Sequence, residues 1–332
     1  MILFVLLLLL WLGQAIIFGL ITSLFAHKKG YNVVTWFILG FLYSFWALIA
    51  VIKGWTKTKR LLIKVTTHII LIIFTIIAIY PVLQVVTISL RPGDKLLSTS
   101  LEIIPDGATL QAYISLFTER PFLHWVWNSA LISLTVTLTG VALASMAGYA
   151  FSRFEFMGKK AGLLSLLVTQ MFPATMLLLP LYIMMIKFGL INTYFGLITT
   201  YTATALPFCI WTMKGYYDTI PMSLEEAARI DGCNQFQAFY KVILPLAAPA
   251  LVITGLFSFM TAWSEYIVAA QILQDTDLWT LPLGLKSFEA NMSTEWGLYG
   301  AASLVVMIPV VVLFLVLSKW LVSGLTLGSV KG

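Results

Sequence analysis

The sequence predicts an all-α polytopic membrane protein of about eight transmembrane helices, and three observations carry that prediction. Of its 332 residues 60% are hydrophobic and only 10% are charged, whereas soluble domains carry about 25% charged residues. Apolar runs long enough to cross a bilayer, about 20 residues each, recur along the whole chain. Polar residues gather between these runs and do not alternate within them, which excludes a transmembrane barrel. With a mean hydropathy of +0.95, the chain has no polar surface for water, and lipid must solvate its outer faces.

In chain order the runs are 2–25, 33–52, 68–90, 126–151, 162–186, 194–213, 247–271 and 298–320. The first has the apolarity of a signal peptide. Against cleavage, no Lys or Arg precedes it, it is too long, and no small-residue site follows. The basic, turn-prone KGWTKTKRLLIK, 53–64, separates a two-span N-terminal extension, 1–60, from the remainder, 61–332. That extension carries no chemical motif and reads as an anchor or a packing element. In the fourth run Gly140, Ala144 and Gly148 form a small-residue stripe of the kind that lets two spans pack closely. Pro173, Pro180 and Pro207 interrupt the fifth and sixth runs. Broken helices at membrane depth line a cavity or are buried in protein, so these two runs are expected to wall a pathway. Their aromatics, Phe172, Tyr182, Tyr194, Tyr201 and Trp211, fit either sugar stacking or an interfacial belt.

The 20 basic residues divide 13 to 7 between alternating sides of these spans. The positive-inside rule assigns the richer side, which includes Lys57, Arg153, Lys214, Arg229, Lys241 and Lys331, to the cytoplasm. Both termini are then cytoplasmic. This distribution accounts for the net charge of +6 without invoking nucleic acid. Two sizeable outside loops, 91–125 and 272–297, contain Pro, Gly and Trp among their acids and are long enough to hold short folded elements. Cys209 and Cys233 make no disulfide framework. His27, His68 and His124 have no acid or cysteine at ligand spacing, so no metal site is read.

One polar passage stands apart, SLEEAARIDGCNQFQAFYKVILP, from Ser223 to Pro245. Ser223 and Glu226 have the spacing of a capping box, and Glu225 and Glu226 sit in a first turn, where the helix dipole favours acids. Gly232 suits the left-handed C-terminal turn. A second short helix should follow and end at Leu244-Pro245. Leu224, Ala227 and Ala228 share a face at i, i+3 and i+4, nearly flat and fit for docking on a soluble protein. An amphipathic helix lying on lipid is the other reading, although such a helix wants Trp, Phe or Leu and several basic residues.

EAARIDGCNQFQAFYKVILP resembles the EAA loop of permease subunits in binding-protein-dependent ABC importers. Glu226, Ala227 and Ala228 precede Gly232 at the family spacing, and Val242, Leu244 and Pro245 close the motif, with valine where isoleucine is commoner. The stretches 128–160, 171–198 and 257–269 resemble the sugar-transporting branch, and WLVSGLTLGSVKG, 320–332, resembles the MalG-like maltose and maltodextrin type. Ser264 stands where that family usually has asparagine, and residues 1–60 have no counterpart in its six-span core. The resemblance implies an ABC importer transmembrane domain over 61–332 with a cytoplasmic coupling loop at 214–246. It implies a MalF-like permease partner forming the other half of the pathway, two ABC ATPase subunits and an extracytoplasmic sugar-binding protein. Glu226, Ala227, Ala228, Asp231, Gly232, Leu244 and Pro245 would dock on an ATPase, and Gly328, Ser329, Val330, Lys331 and Gly332 would reach between the ATPase subunits. The location implied is a bacterial or archaeal cytoplasmic (inner) membrane.

No GxxxxGK[ST] phosphate loop occurs in the sequence, so ATP and magnesium would be used by the partner ATPase and not by this chain. Asn128, Gln170, Ser264 and Glu265 are the polar residues within spans. They fit either a transport pathway or interhelical hydrogen bonds, and a charge such as Glu265 inside a span is a functional candidate by default. A self-sufficient secondary transporter or channel would show an internal repeat and intramembrane ionisable pairs, which Glu265 alone does not supply. An intramembrane enzyme would need a nucleophile–base or metal-ligand grouping, and none is found.

Overall fold

The computed structural model describes residues 32, 35, 57–93, 102–289 and 294–327. The expected spans 2–25 and 33–52 and the tail 328–332 lie outside the described residues. The chain divides into two compact units, Met1–Pro81 and Val82–Gly332, and the packing below belongs to the second. Every regular element among the described residues is helical. The α-helices of four or more residues are, in order, α1 (Lys57–Leu90), α2 (Gln111–Thr118), α3 (Phe122–Arg153), α4 (Lys159–Met171), α5 (Ala174–Lys187) and α6 (Tyr194–Tyr217). Then come α7 (Ser223–Ile230), α8 (Gln235–Ala238), α9 (Ala248–Ser264), α10 (Ile267–Ile272), α11 (Leu281–Lys286) and α12 (Trp296–Leu327).

Among the described residues three helices are long and apolar enough to cross a bilayer alone, Ile63–Leu90, Phe122–Arg153 and Trp296–Ser318. Two bent pairs raise the number to five if each is one span. The expected fifth run, 162–186, is not one straight helix but bends by 110° between Lys159–Met171 and Thr175–Lys187. Pro173 causes the break, because it forces the preceding Phe172 into extended backbone at φ −78°, ψ 131° and ends the helix. Pro180 and Pro207, by contrast, sit inside the continuous helices α5 and α6. The run 247–271 also divides, since α9 ends at Ser264 and Glu265 is extended. Helix α6 falls outside the most apolar set because Thr199, Thr200, Thr202, Thr204 and Thr212 dilute it. Thr199, Thr200, Thr204 and Thr212 donate to carbonyls three or four residues back, so their hydroxyls need no water.

Helix α3 is the centre of the bundle and packs on both α6 and α9. The small-residue stripe makes this possible. A Cβ on Gly148 would lie 2.7 Å from the Met213 Cβ and 3.0 Å from the Lys214 amide nitrogen of α6. One on Gly140 would lie 3.2 Å from the Ser258 hydroxyl of α9. Between them Ala144 is fully buried. The last turns of α1 meet α12 in the same way, with Gly300 facing the Val85 carbonyl and the Ser89 amide at 3.3 Å.

Both loops expected on the outside carry short folded elements. The first carries α2, and the second carries a 3-10 turn, Thr276–Leu278, and α11. Arg120 donates to both oxygens of Glu295 at 2.6 and 2.7 Å, tying one loop to the other. Trp125 of α3 packs against Phe288 at 5.9 Å between ring centres and lies so close to α11 that no Cβ fits at Gly284. His124 finds an ordinary partner here, the Asp277 carbonyl at 2.6 Å.

Candidate functional site

The passage 214–246 leaves α6 through Lys214 and Asp218. Burial pushes the Asp218 carboxyl up, but hydrogen bonds from Lys214 and Ser152 outweigh it and hold the group below the ordinary carboxylate range. The chain then turns at Pro221 and enters α7. Ser223 is not its N-cap. Met222 takes that position, with its carbonyl accepting from the Glu225 and Glu226 amides at 3.0 and 3.1 Å. The expected Ser223–Glu226 capping box is therefore absent, because Pro221 starts the turn one residue early and places the serine inside the helix. A capping box does form at α8. Asn234 accepts from the Gln237 amide at 2.8 Å, and the Gln237 side chain accepts from the Asn234 amide at 2.9 Å.

Helix α7 ends as expected. Gly232 has φ +87°, its amide donates to the Arg229 carbonyl at 3.0 Å, and the Cys233 amide donates to the Ala228 carbonyl at 2.9 Å. This paired closure is a Schellman motif, which needs a left-handed residue at the glycine position. Asp231 is the exposed C-cap. After α8 the chain widens into a π turn, Phe239–Ile243, and passes through Leu244–Leu246 into α9. Leu244 is half-buried and Pro245 exposed.

The exposed surface of this loop differs from the flat alanine face. Glu226 and Ala227 are exposed, whereas Ala228 turns inward. The exposed apolar residues are larger: Met222, Leu224, Ile230, Phe236 and Tyr240, with Ile230 86% exposed. Large apolar side chains exposed on an otherwise polar loop suit contact with another surface if they lie side by side.

The inward face of α7 holds a group that the sequence reading missed. Glu225 is 3% exposed. Its Oε1 is paired with Arg153 Nε, and its Oε2 accepts from the Tyr149 hydroxyl at 2.8 Å. Arg153 also donates to the Ile220 carbonyl at 2.8 Å, and Ser152 donates to Asp218 at 2.6 Å. The last turn of α3 thus holds the loop at three points. No local signal marked it, since successive helical residues are only about 100° apart and adjacent pairs such as Glu226 and Ala227 are both exposed in this helix.

The four polar span residues do not come together. Asn128 is buried and donates to the Asp277 and Trp279 carbonyls at 3.0 and 2.9 Å, while accepting from the Tyr194 hydroxyl at 2.8 Å. Glu265 closes the break after α9. It accepts from the Val268 amide at 2.9 Å, from Ala269 at 3.2 Å and from the Tyr201 hydroxyl at 2.7 Å. Ser264 donates to the Met260 carbonyl of its own helix. Gln170 is exposed and reaches the Thr204 carbonyl at 3.4 Å.

The chain is similar to several known proteins. Residues 140–326 match the family described as binding-protein-dependent transport system inner membrane component. The maltodextrin transport system permease protein MdxG of Bacillus subtilis is 34% identical over 278 residues, covering 83% of this chain and 99% of that protein. The maltose/maltodextrin transport system permease protein MalG of Yersinia pestis is 37% identical, covering 83% and 96%. MalG of Escherichia coli is 35% identical, covering 85% and 100%. A solved bacterial ABC transporter involved in import of the acidic polysaccharide alginate superposes with a TM-score of 0.69 at 24% identity, covering 81% of this chain and 99% of that one.

Proposed function

The chain belongs to the binding-protein-dependent transport system inner membrane component family, and on that premise we propose that it is a permease subunit of an ATP-driven importer of maltose-type oligosaccharides. The observation that carries the reading is the loop Ser223–Pro245, a firmly terminated helix that exposes the large apolar Leu224 and Ile230 among the charged Glu226, Arg229 and Asp231. Names of the relatives support maltose or maltodextrin as the cargo. A MalF-like permease completes the pathway, an extracytoplasmic binding protein delivers the sugar, and two ATPase subunits supply the energy.

In this reading α7 seats on an ATPase through Glu226, Ala227 and the apolar residues around them. Closure of the ATPase pair displaces α7, and the displacement turns the spans between outward and inward states. The motion must be a change between packed arrangements, because close-packed helices do not deform continuously. On the positive-inside assignment both chain ends lie on the cytoplasmic side, with the C-terminal residues 328–332 directed to the ATPase pair, and residues 1–60 serve as an anchor or a packing element. Asn128 and Glu265 serve as interhelical ties and not as sugar contacts, because their partners already satisfy them.

The test is Glu226→Trp in the reconstituted complex. The expected result is loss of ATPase co-purification together with loss of maltotriose uptake. Retention of both would overturn the coupling role of α7.

A further inference from the structure

We infer that Arg153, Glu225 and Tyr149 form a buried clamp that makes α7 move with the cytoplasmic end of α3, so that these three are positioning residues for transmission of the ATPase stroke. The inference rests on the coupling role proposed for Ser223–Pro245 and adds the route by which force leaves it.

Chain connectivity alone would have α7 pull on α6, which precedes it, and on α9, which follows it. Neither connection is a continuous helix. The first turns at Pro221, and the second passes through Gly232 and the π turn Phe239–Ile243. The link to α3 is of another kind. Arg153 pairs with Glu225 through Nε and holds the Ile220 carbonyl at 2.8 Å, and Tyr149 donates to the second carboxylate oxygen at 2.8 Å. Side chains of Arg153 and Glu225 are only 6% and 4% exposed. The Tyr149 ring packs against Phe239 at 4.5 Å and Tyr217 at 5.9 Å, so an aromatic wall keeps water from the pair.

In such a setting the attraction between the charges is weakly screened. Removing one partner strands a buried charge, which is far costlier than losing a surface pair. The clamp is therefore a stiff joint, and α3 is well placed to receive it. The same helix touches α6 at Gly148 and α9 at Gly140, so a stroke entering α3 reaches both neighbours through side-by-side contact.

The experiment uses the complete complex in proteoliposomes and reads maltotriose carried per ATP hydrolysed. Glu225→Gln and Arg153→Met are expected to co-purify with the ATPase like the wild type while uptake per ATP falls about tenfold, a typical coupling magnitude. The charge-swapped pair R153E/E225R is expected to recover most of the ratio, which a purely structural loss would not do. Wild-type ratios in the single variants would overturn the clamp. Should those variants fail to assemble, spin labels at Met146→Cys and Ser223→Cys, with Cys209 and Cys233 replaced by serine, give a second reading. Their separation is expected to stay fixed between the nucleotide-free and ATP-trapped complexes. A change beyond one helical turn, about 5 Å, would overturn the joint. Absence of ATP-driven uptake in the wild-type complex would overturn the coupling role and the clamp with it, whereas normal wild-type uptake with unchanged variants overturns the clamp alone.

Discussion

Glu225 and Glu226 are neighbours in the chain and opposites in environment, because successive residues of a helix are turned about 100° apart at 3.6 residues per turn. One is sealed against Arg153 and Tyr149 and the other faces outward. The motif was readable from the residues, but the division of labour inside it was not, since nothing in the sequence pairs residue 225 with residue 153. Gly232 was readable because only backbone freedom was at stake. No atom lies within 4 Å of where its Cβ would be, so a substitution there is resisted by the left-handed φ alone. Gly232→Ala should therefore cost only about 1 kcal/mol, visible as a small fall in thermal stability in detergent. Asn128 makes the opposite case. Asn128→Ala removes the donor to two carbonyls and the acceptor of Tyr194 in a buried position, and should cost about 1–3 kcal/mol. A melting temperature unchanged by Asn128→Ala would contradict the tie described for it.

Among the elements, the long apolar helix α3 could be placed from hydropathy within a few residues, and the stripe Gly140, Ala144 and Gly148 foretold close packing. Breaks were harder. Three prolines were read as interruptions, yet only Pro173 breaks a helix, because Pro180 and Pro207 are absorbed within α5 and α6. The division at Glu265 depends on a carboxylate capping α10 and on Tyr201 reaching it from α6, a tertiary arrangement with no local signature. The capping box failed for a similar reason, since Pro221 shifted the helix start. Helix packing yields its own prediction. Gly148→Leu places a bulky side chain where 2.7 Å separates the Cβ position from Met213, so α3 and α6 must part. Overpacking of this kind costs about 1–3 kcal/mol or more. The expected outcome is a chain that no longer assembles into the transport complex, measured by size-exclusion chromatography after co-expression, while Gly255→Ala, whose Cβ meets only ordinary contacts at 3.5 Å and beyond, assembles normally.

For the whole molecule, composition alone places the chain in a membrane, and the spacing of one polar loop brings its family into view. Helix α3 grips that loop at Asp218, Ile220 and Glu225, and the outward face carries large apolar residues beside Glu226 and Arg229. The coupling role proposed above has a partner ATPase supply the energy through that face. The most direct measurement is maltotriose uptake by proteoliposomes containing this chain, its partner permease, the ATPase and the binding protein, comparing internal ATP with an imposed proton or sodium gradient. Uptake that requires ATP and ignores both gradients is the predicted result. Uptake driven by a gradient without ATP, or by this chain alone, would contradict it.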